Sequence, residues 1–433
     1  MNSYPYWWDT VSDPHPKNPG PGVLEPGTLE PGASFDVVVI GAGYTGLAAA
    51  RQLARSGASV VVLERGGTGW GASSRNAGQV LTGLKLDPAA LVARFGNARA
   101  RELFDASLTS MASLESLIQD EDIECEYQRA GHIYAACKPT HFDALRDEQQ
   151  LLARVFNHPV SVVAASDQAT ELGTHAYHGL LLDERSSAIN PTKYVRGLAR
   201  AAVRSGARIV EHVTVLDLSR TADSWIARTT GGDVRAKEVF VATNGYTGAA
   251  TPALRRRLIP IGSYIIATKP LSDAVAARLL PRRRMVFDSR HFLHYFRLTA
   301  DNRLLFGGRA EFSGPTLESA TRATAILHHG MASVFPELAA TPIEYAWSGH
   351  VAFTRDQMPH AGRLDGAFYA GGYCGHGIAM ATYLGGLMAR RIVGEQFDHP
   401  LLDAPFPAIP LYRGRPWFLP LVGAYYRFRD WVD

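Results

Sequence analysis

The residues with the clearest chemical meaning lie near the amino end. Gly41-Ala42-Gly43-Tyr44-Thr45-Gly46 sets three glycines at the spacing Gly-x-Gly-x-x-Gly. Such a turn can wrap an anionic group. Gly41 permits the tight bend, Gly43 has no Cβ to hold the backbone off a pyrophosphate, and Gly46 lets a helix pack closely on a strand. The start of that helix, with Thr45 in its first turn, offers free N–H groups and a positive dipole end. Glu64 follows Gly46 by 18 residues, with Arg65 beside it. A carboxylate there can accept from both hydroxyls of a ribose, and it favours a ribose without a phosphate.

These residues need a strand, a turn, a helix and a second strand to hold them. Asp36–Ile40 is a continuous β-branched run, as expected of a strand buried on both faces. Gly46–Ser56 has helical spacing, with Leu47, Ala50, Leu53 and Ala54 on one stripe and Gly57 as its stop. Ser59–Leu63 is a second buried strand that delivers Glu64. The unit reads as βαβ. Further on, residues 97–120, 141–154 and 193–205 have helical spacing, and Arg208–Leu218 and Glu238–Thr243 read as strands. Residues 260–310 alternate as β segments do, for example Ser263–Thr268 and Leu304–Gly307. A long helix follows Gly377, with Ala381, Leu384, Met388 and Ile392 inward and Gly394 as cap.

Two further stretches bear on the ligand. Thr68–Gln79 is small, polar and irregular, suited to run along an extended cofactor, and it contains Ser73, Ser74, Arg75, Asn76, Gly78 and Gln79. Arg75 could meet a pyrophosphate. Gly371-Gly372-Tyr373-Cys374-Gly375-His376-Gly377 leads into a helix at Ile378, whose start can face the anionic edge of a reduced flavin. His376 is either a turn residue or a catalyst. Together the two stretches favour FAD over NAD, because a nicotinamide enzyme would leave them without purpose.

On these motifs the chain resembles the FAD-dependent amine and amino-acid oxidase family of D-amino-acid oxidase, glycine oxidase and monomeric sarcosine oxidase. Within it the likeness is to the gamma-glutamylputrescine oxidase branch. The matching stretches are Gly69–Gln79, Asn190–Gly197, Val241–Thr247, Ser263–Pro270, Tyr295–Arg309 and Gly371–Gly386. The resemblance implies noncovalent FAD and a Rossmann-like FAD-binding domain, discontinuous in sequence, with a β-sheet-based substrate domain (an α/β plus β fold). Gly41, Gly43, Gly46 and Glu64 would hold the ADP half. Ser73, Ser74, Arg75 and Asn76 would line the pyrophosphate and ribityl chain, and Gly78 and Gln79 the isoalloxazine. Val213 would contact the adenine through its backbone. Gly375, His376 and Gly377 would sit at the pyrimidine edge.

Two departures matter, the first for the substrate and the second for how the reduced flavin meets oxygen. The sarcosine-oxidase branch binds a substrate carboxylate with a lysine where Ala379 stands here, and activates oxygen with a lysine at the place of Leu305. That branch also attaches flavin to a cysteine, and residues 351–353 hold none. A γ-glutamylated diamine or similar primary amine, from polyamine degradation, fits better than a small N-methyl amino acid. An aromatic pocket would keep such an amine unprotonated. Its candidate walls are Tyr264, Tyr295, Phe296, Trp347 and His350. Gln79, His350 and His376 are candidate catalysts, and Arg297 could meet a distal carboxylate. Oxygen is the expected acceptor. The alternatives are a dehydrogenase that docks a quinone or carrier protein through Trp417–Asp433, and a flavin-binding assembly or sensor protein without catalysis.

Composition agrees with a soluble enzyme. Of 433 residues, 46% are hydrophobic and 20% charged, and the net charge is only +3, which gives nucleic acid no purchase. The three cysteines are scattered, so a disulfide framework and a metal site are unexpected and a cytoplasmic, reducing location is expected. No signal peptide or spanning run is visible, and membrane contact is not expected. Trp417–Tyr426 reads as a packed terminal helix. The expected organisation is a Pro/Gly-rich leader at 1–34, with order beginning at Phe35. FAD-binding segments follow at 35–90, 186–255 and 346–400, substrate-domain segments at 91–185 and 256–345, and a tail at 401–433.

Overall fold

The structure, a computed structural model, describes residues 1–12, 23–24, 29, 32–308 and 317–432. The leader prolines Pro14, Pro16, Pro19, Pro21, Pro26 and Pro31, and Arg309, lie outside the described residues.

Ser34–Ile40 is the centre of the first sheet. It pairs in parallel with Val60–Leu63 on one side and with Gly232–Val241 on the other. Arg208–Val210 extends the sheet beyond Val60–Leu63, also in parallel. On the far side Gly232–Val241 folds into an antiparallel ribbon with Trp225–Thr229 and Val215–Arg220. Its carboxyl end takes Ala367–Gly371 in parallel. Val37–Val39 and Val60–Val62 are buried, as a strand covered on both faces must be. Helices Tyr44–Arg55, Pro191–Arg204 and Gly377–Ile392 contribute Leu47, Leu198 and Leu384 to one shared core.

The second sheet has eight strands in the order 343–353, 259–268, 304–308, 294–298, 285–288, 132–135, 179–183, 161–164. Only the Met285–Asp288 and His132–Ala135 pair is parallel. One face packs Tyr264, Ile266, Phe296 and Phe306 against Leu327 and Met331 of helix Leu317–Val334. The two long helices Pro88–Asp120 and Pro139–Phe156 bury Leu103, Phe104, Leu152 and Phe156 against the first body. The first of them is interrupted at Gly96 (φ 73°, ψ 164°), so its regular spacing begins at residue 97. Among the described residues no helix is long and apolar enough to cross a membrane, and no cluster of three metal-binding side chains occurs.

Two expectations need correction. Arg208–Leu218 is not one strand. The chain leaves the parallel sheet at Glu211, whose carboxylate accepts from Thr68 N–H at 2.5 Å, and re-enters as ribbon after His212 at φ 59°. Nor does order begin at Phe35. Tyr6–Thr10 form a short 3-10 helix, Trp7 is fully buried, and Asn2 exchanges backbone hydrogen bonds with Glu344 and Ala346. Five aromatic and apolar neighbours supply the reason: Trp7 fills a pocket of Ala77, Ile265, Leu305, Tyr345 and Trp347.

Candidate active site

The glycine turn is fixed by contacts that a side chain would break. A Cβ on Gly46 would lie 1.9 Å from the Gly41 carbonyl oxygen, and one on Gly43 would lie 2.9 Å from Ser73 Oγ. Gly41 takes φ +106° and donates its N–H to Leu63. Glu64 accepts from the Ala42 and Gly66 N–H groups at 2.8 Å each. Burial pushes its carboxyl above the usual range, against the pull of those two donors. Each oxygen keeps a lone pair for a hydroxyl. Val213 donates its own N–H to the Glu64 carbonyl, so a contact to an adenine would have to come from its carbonyl. Thr45 Oγ1 meets Tyr373 OH at 2.7 Å, which ties the first helix to the second glycine-rich turn.

The irregular loop after Glu64 is pinned from two sides. Tyr44 OH donates to Ser73 O at 2.5 Å, and Asn76 Nδ2 donates to Ala72 O and Tyr44 OH. From the other side, Trp7 Nε1 donates to Asn76 O at 2.8 Å and Trp8 Nε1 to Ser74 Oγ at 2.9 Å. The Arg75 guanidinium lies between Trp8 and Trp70, 5.1 Å from each ring, and donates to the Trp70 and Ser348 carbonyls. Arg65 lies over Trp70 and Tyr246. The amino-terminal segment was not anticipated as part of the site, and no role was assigned to the side chains of Tyr44, Trp70 and Tyr246. The density of aromatics in Tyr4–Trp8 was the available signal, since disordered leaders are poor in them.

The glycine turn and the loop after Glu64 border one cavity of about 1110 Å³. Gly41, Gly43, Thr45, Glu64, Arg65, Ser73, Arg75, Asn76, Gln79 and Val213 line it, as do His350, Gly375, His376, Gly377 and Ile378. Gly46, Ser74 and Gly78 lie behind that wall. Gly78 takes φ +71°, and a Cβ there would lie 2.1 Å from the Ile189 carbonyl oxygen. His376 caps the helix Gly377–Ile392, and its Nδ1 is sealed from solvent with no hydrogen-bond partner. Burial and the nearby Lys85 cation push its pKa down to about 3, so the ring is neutral. His350 stacks near Tyr246 (5.0 Å) and is also pushed down, by burial and then by Arg65 and Arg75.

The same cavity is also lined by Thr82, Lys85, His132, Tyr134, Glu148, Arg290 and Tyr295. Tyr295 OH meets Ser263 Oγ at 2.9 Å. Burial, with Asp87 adding repulsion, pushes the Glu148 carboxyl up to about 7. His158 and Asp183, both buried, form a 2.7 Å pair in the cavity wall. Four expected pocket residues are elsewhere. Tyr264 and Phe296 point to the opposite face of their sheet, into the core under helix Leu317–Val334. Trp347 packs on Trp7 and donates to the Arg75 carbonyl at 2.9 Å. Arg297 is buried and donates to the Gly78 and Ile189 carbonyls at 2.9 and 3.0 Å, so it braces the loop from behind instead of meeting a carboxylate. Burial lowers its pKa to about 10. Ala379 and Leu305 are both buried outside the cavity wall.

The wall fits an FAD. The glycine contacts at Gly41 and Gly43 leave room only for a bare backbone, and the space around Gly375 is open. The cavity slightly exceeds the ~300–1,000 Å³ of ordinary ligand sites, as an extended dinucleotide and a substrate would require. Cys374, the cysteine at the wall, holds its thiol against the Gly372 carbonyl at 3.1 Å, and burial raises its pKa.

Comparison with known proteins agrees. A family model described as FAD dependent oxidoreductase (DAO) matches residues 36–391. Gamma-glutamylputrescine oxidoreductase of Escherichia coli is 34% identical over 402 residues, 91% of this chain and 92% of that protein. A probable oxidoreductase, OrdL, of Rhizobium meliloti is 32% identical over 401 residues, covering 91% and 92%. The crystal structure of glycine oxidase from Geobacillus kaustophilus superposes with a TM-score of 0.72 at 22% identity, over 88% of this chain and all of that one, which is a likeness of fold.

Proposed function

The chain belongs to the DAO family of FAD-dependent oxidoreductases, and from that premise we propose that it oxidises the carbon–nitrogen bond of a small primary amine of the γ-glutamylputrescine kind. The amine loses two electrons and two protons to become an imine, which water hydrolyses to an aldehyde and ammonia. Oxygen takes up the two electrons and two protons and leaves as hydrogen peroxide. The reaction would serve polyamine degradation in the cytoplasm.

The observation that supports this reading is that a single cavity is lined both by Glu64, Val213 and Gly375–Gly377 and by Lys85, Glu148 and Arg290. Groups of both signs in one cavity suit a substrate with an ammonium at one end and a zwitterionic amino acid at the other. Gly41, Gly43, Thr45, Ser73 and Arg75 would hold the phosphates of FAD, Glu64 its ribose, Gln79 and Gly375–Ile378 its ring system. Bound FAD supplies the redox chemistry. The protein supplies position and electrostatics. Leu81, Leu84 and Phe287 disfavour the ammonium form of the substrate at the reacting end. The positive start of helix Gly377–Ile392, together with Lys85, favours anionic charge at the wall where neutral His376 sits.

Leu305, standing where the sarcosine-oxidase branch has its oxygen-activating lysine, supports a second reading, in which a quinone or carrier protein replaces oxygen. One experiment tests both. The purified flavoprotein is mixed without oxygen with γ-glutamylputrescine, putrescine, sarcosine, glycine and D-alanine, and air is then admitted. Bleaching by the first amine, with fast reoxidation and peroxide release, is expected. Slow reoxidation would favour the second reading, and bleaching by sarcosine or D-alanine alone would overturn the substrate class.

A further inference from the structure

We propose that the carboxyl-terminal segment from Leu411 onward docks the protein on an anionic lipid surface. Eight large hydrophobic side chains are exposed among the described residues, and four of them fall between 411 and 425: Leu411, Trp417, Leu421 and Tyr425. Trp417, Leu421 and Tyr425 are spaced four apart at and along the helix Leu419–Val432, so they share one face. The opposite face is occupied, because Phe418, Leu419 and Val422 line the active-site cavity. The helix is therefore apolar inward, where it forms a wall, and apolar outward, where it meets water. Neither a solvated surface helix nor a core helix has that pattern.

Charge selects the occupant. Arg413 and Arg415 are exposed beside the ridge, and Arg256, also exposed, is joined to the segment by a hydrogen bond from Ile409 N–H to its carbonyl. The sequence goes on to Arg427 and Arg429, against Asp430 and Asp433. Trp and Tyr on a ridge bordered by arginines match the headgroup layer of an anionic leaflet, where aromatic side chains sit at the interface and cations at the phosphates. The helix is too short and too charged to span. Docked this way, the protein holds one wall of its cavity against the lipid. The inference does not depend on which amine is oxidised.

The test is sedimentation of the full-length flavoprotein with vesicles of phosphatidylcholine, with and without phosphatidylglycerol, at low and high salt. The protein is expected to pellet with the anionic vesicles and to be released by salt. Replacing the ridge (Trp417→Ser, Leu421→Ser and Tyr425→Ser together) should cut that partition about tenfold or more, with flavin content unchanged. Should that variant fold poorly, Arg413→Gln with Arg415→Gln alters only exposed side chains and should abolish the preference for phosphatidylglycerol. Wild-type protein left in the supernatant, or variants that pellet equally, would overturn the proposal. So would a dimer in light scattering that the ridge variant converts to monomer, since the ridge would then belong to a second copy.

Discussion

Glu148 is the side chain whose charge changes where the enzyme would work. Burial holds its carboxyl near 7, so it is neutral below that pH and anionic above it. A cationic substrate in the cavity should therefore bind more tightly as pH rises through 7. The expected gain is about three- to fivefold in KM, the worth of an ion pair of roughly 0.6–1 kcal/mol in a partly solvated cavity. Glu148→Gln should remove this step from the KM–pH profile and leave any step in kcat. A ratio of wild-type to variant KM that stays flat across pH would sink the role. Arg297 teaches a different lesson at the same scale. In sequence it is a cation on a β segment, a plausible partner for a carboxylate. Its real partners are carbonyls 219 and 108 residues away, at Gly78 and Ile189, and no local pattern announces a backbone acceptor.

Among elements, the helix pair Tyr44–Arg55 and Gly377–Ile392 matters most, because both helices open onto the cavity. Their approach depends on Gly385, where a Cβ would lie 2.3 Å from the Thr45 carbonyl oxygen, while Gly386 next to it faces open space. Gly385→Ala should destabilise the protein by about 1–3 kcal/mol through overpacking and weaken FAD retention. Gly386→Ala should be neutral or stabilising by up to about 1 kcal/mol, as alanine suits a helix interior. Denaturant unfolding of the two variants reads the difference, and equal effects would refute the close-packing account. The strand–turn–helix elements were legible from residues 34 to 64 because their signal is local: a buried β-branched run, glycines at fixed spacing, an amphipathic stripe. The faces of the second sheet were not. Tyr264 and Tyr295 both read as pocket walls, but strand parity sends Tyr264 into the helix-covered core and Tyr295 to the cavity. Parity is fixed by register with neighbours such as Gly308, which pairs with Tyr264, and register is a non-local property.

At the scale of the molecule, the amino-terminal segment joins the two bodies. Thr10 Oγ1 accepts from Asn190, the cap of helix Pro191–Arg204, at 2.9 Å. Tyr6 OH donates to Asp301 at 2.7 Å, and Tyr345 OH to Asp9 at 2.8 Å, both in the second sheet's territory. Between these anchors Trp7 and Trp8 grip Ser74 and Asn76. Removing residues 1–12 should loosen FAD at least about tenfold in apoprotein reconstitution, since truncating a buried Trp alone costs about 3–5 kcal/mol. Trp8→Phe keeps the ring under Arg75 and deletes only the N–H to Ser74, so it should show a smaller rise in Kd with no change in apoprotein melting. A truncated protein that stays yellow with unchanged affinity would refute the coupling. Sequence reading missed this brace because the proline-rich stretch after it masks an ordered segment, and its partners lie 66 to 336 positions away.

That separation also has a meaning in time. Asp9 and Tyr345 are 336 positions apart, so at about 5–20 residues per second the ribosome delivers the second roughly 20–70 s after the first. Throughout that interval the aromatic segment has been made but the strand it rests on has not. The loop that faces the cofactor therefore cannot be locked by this brace until Ile343–Phe353 has been made, long after the glycine turn at 41–46 has been exposed.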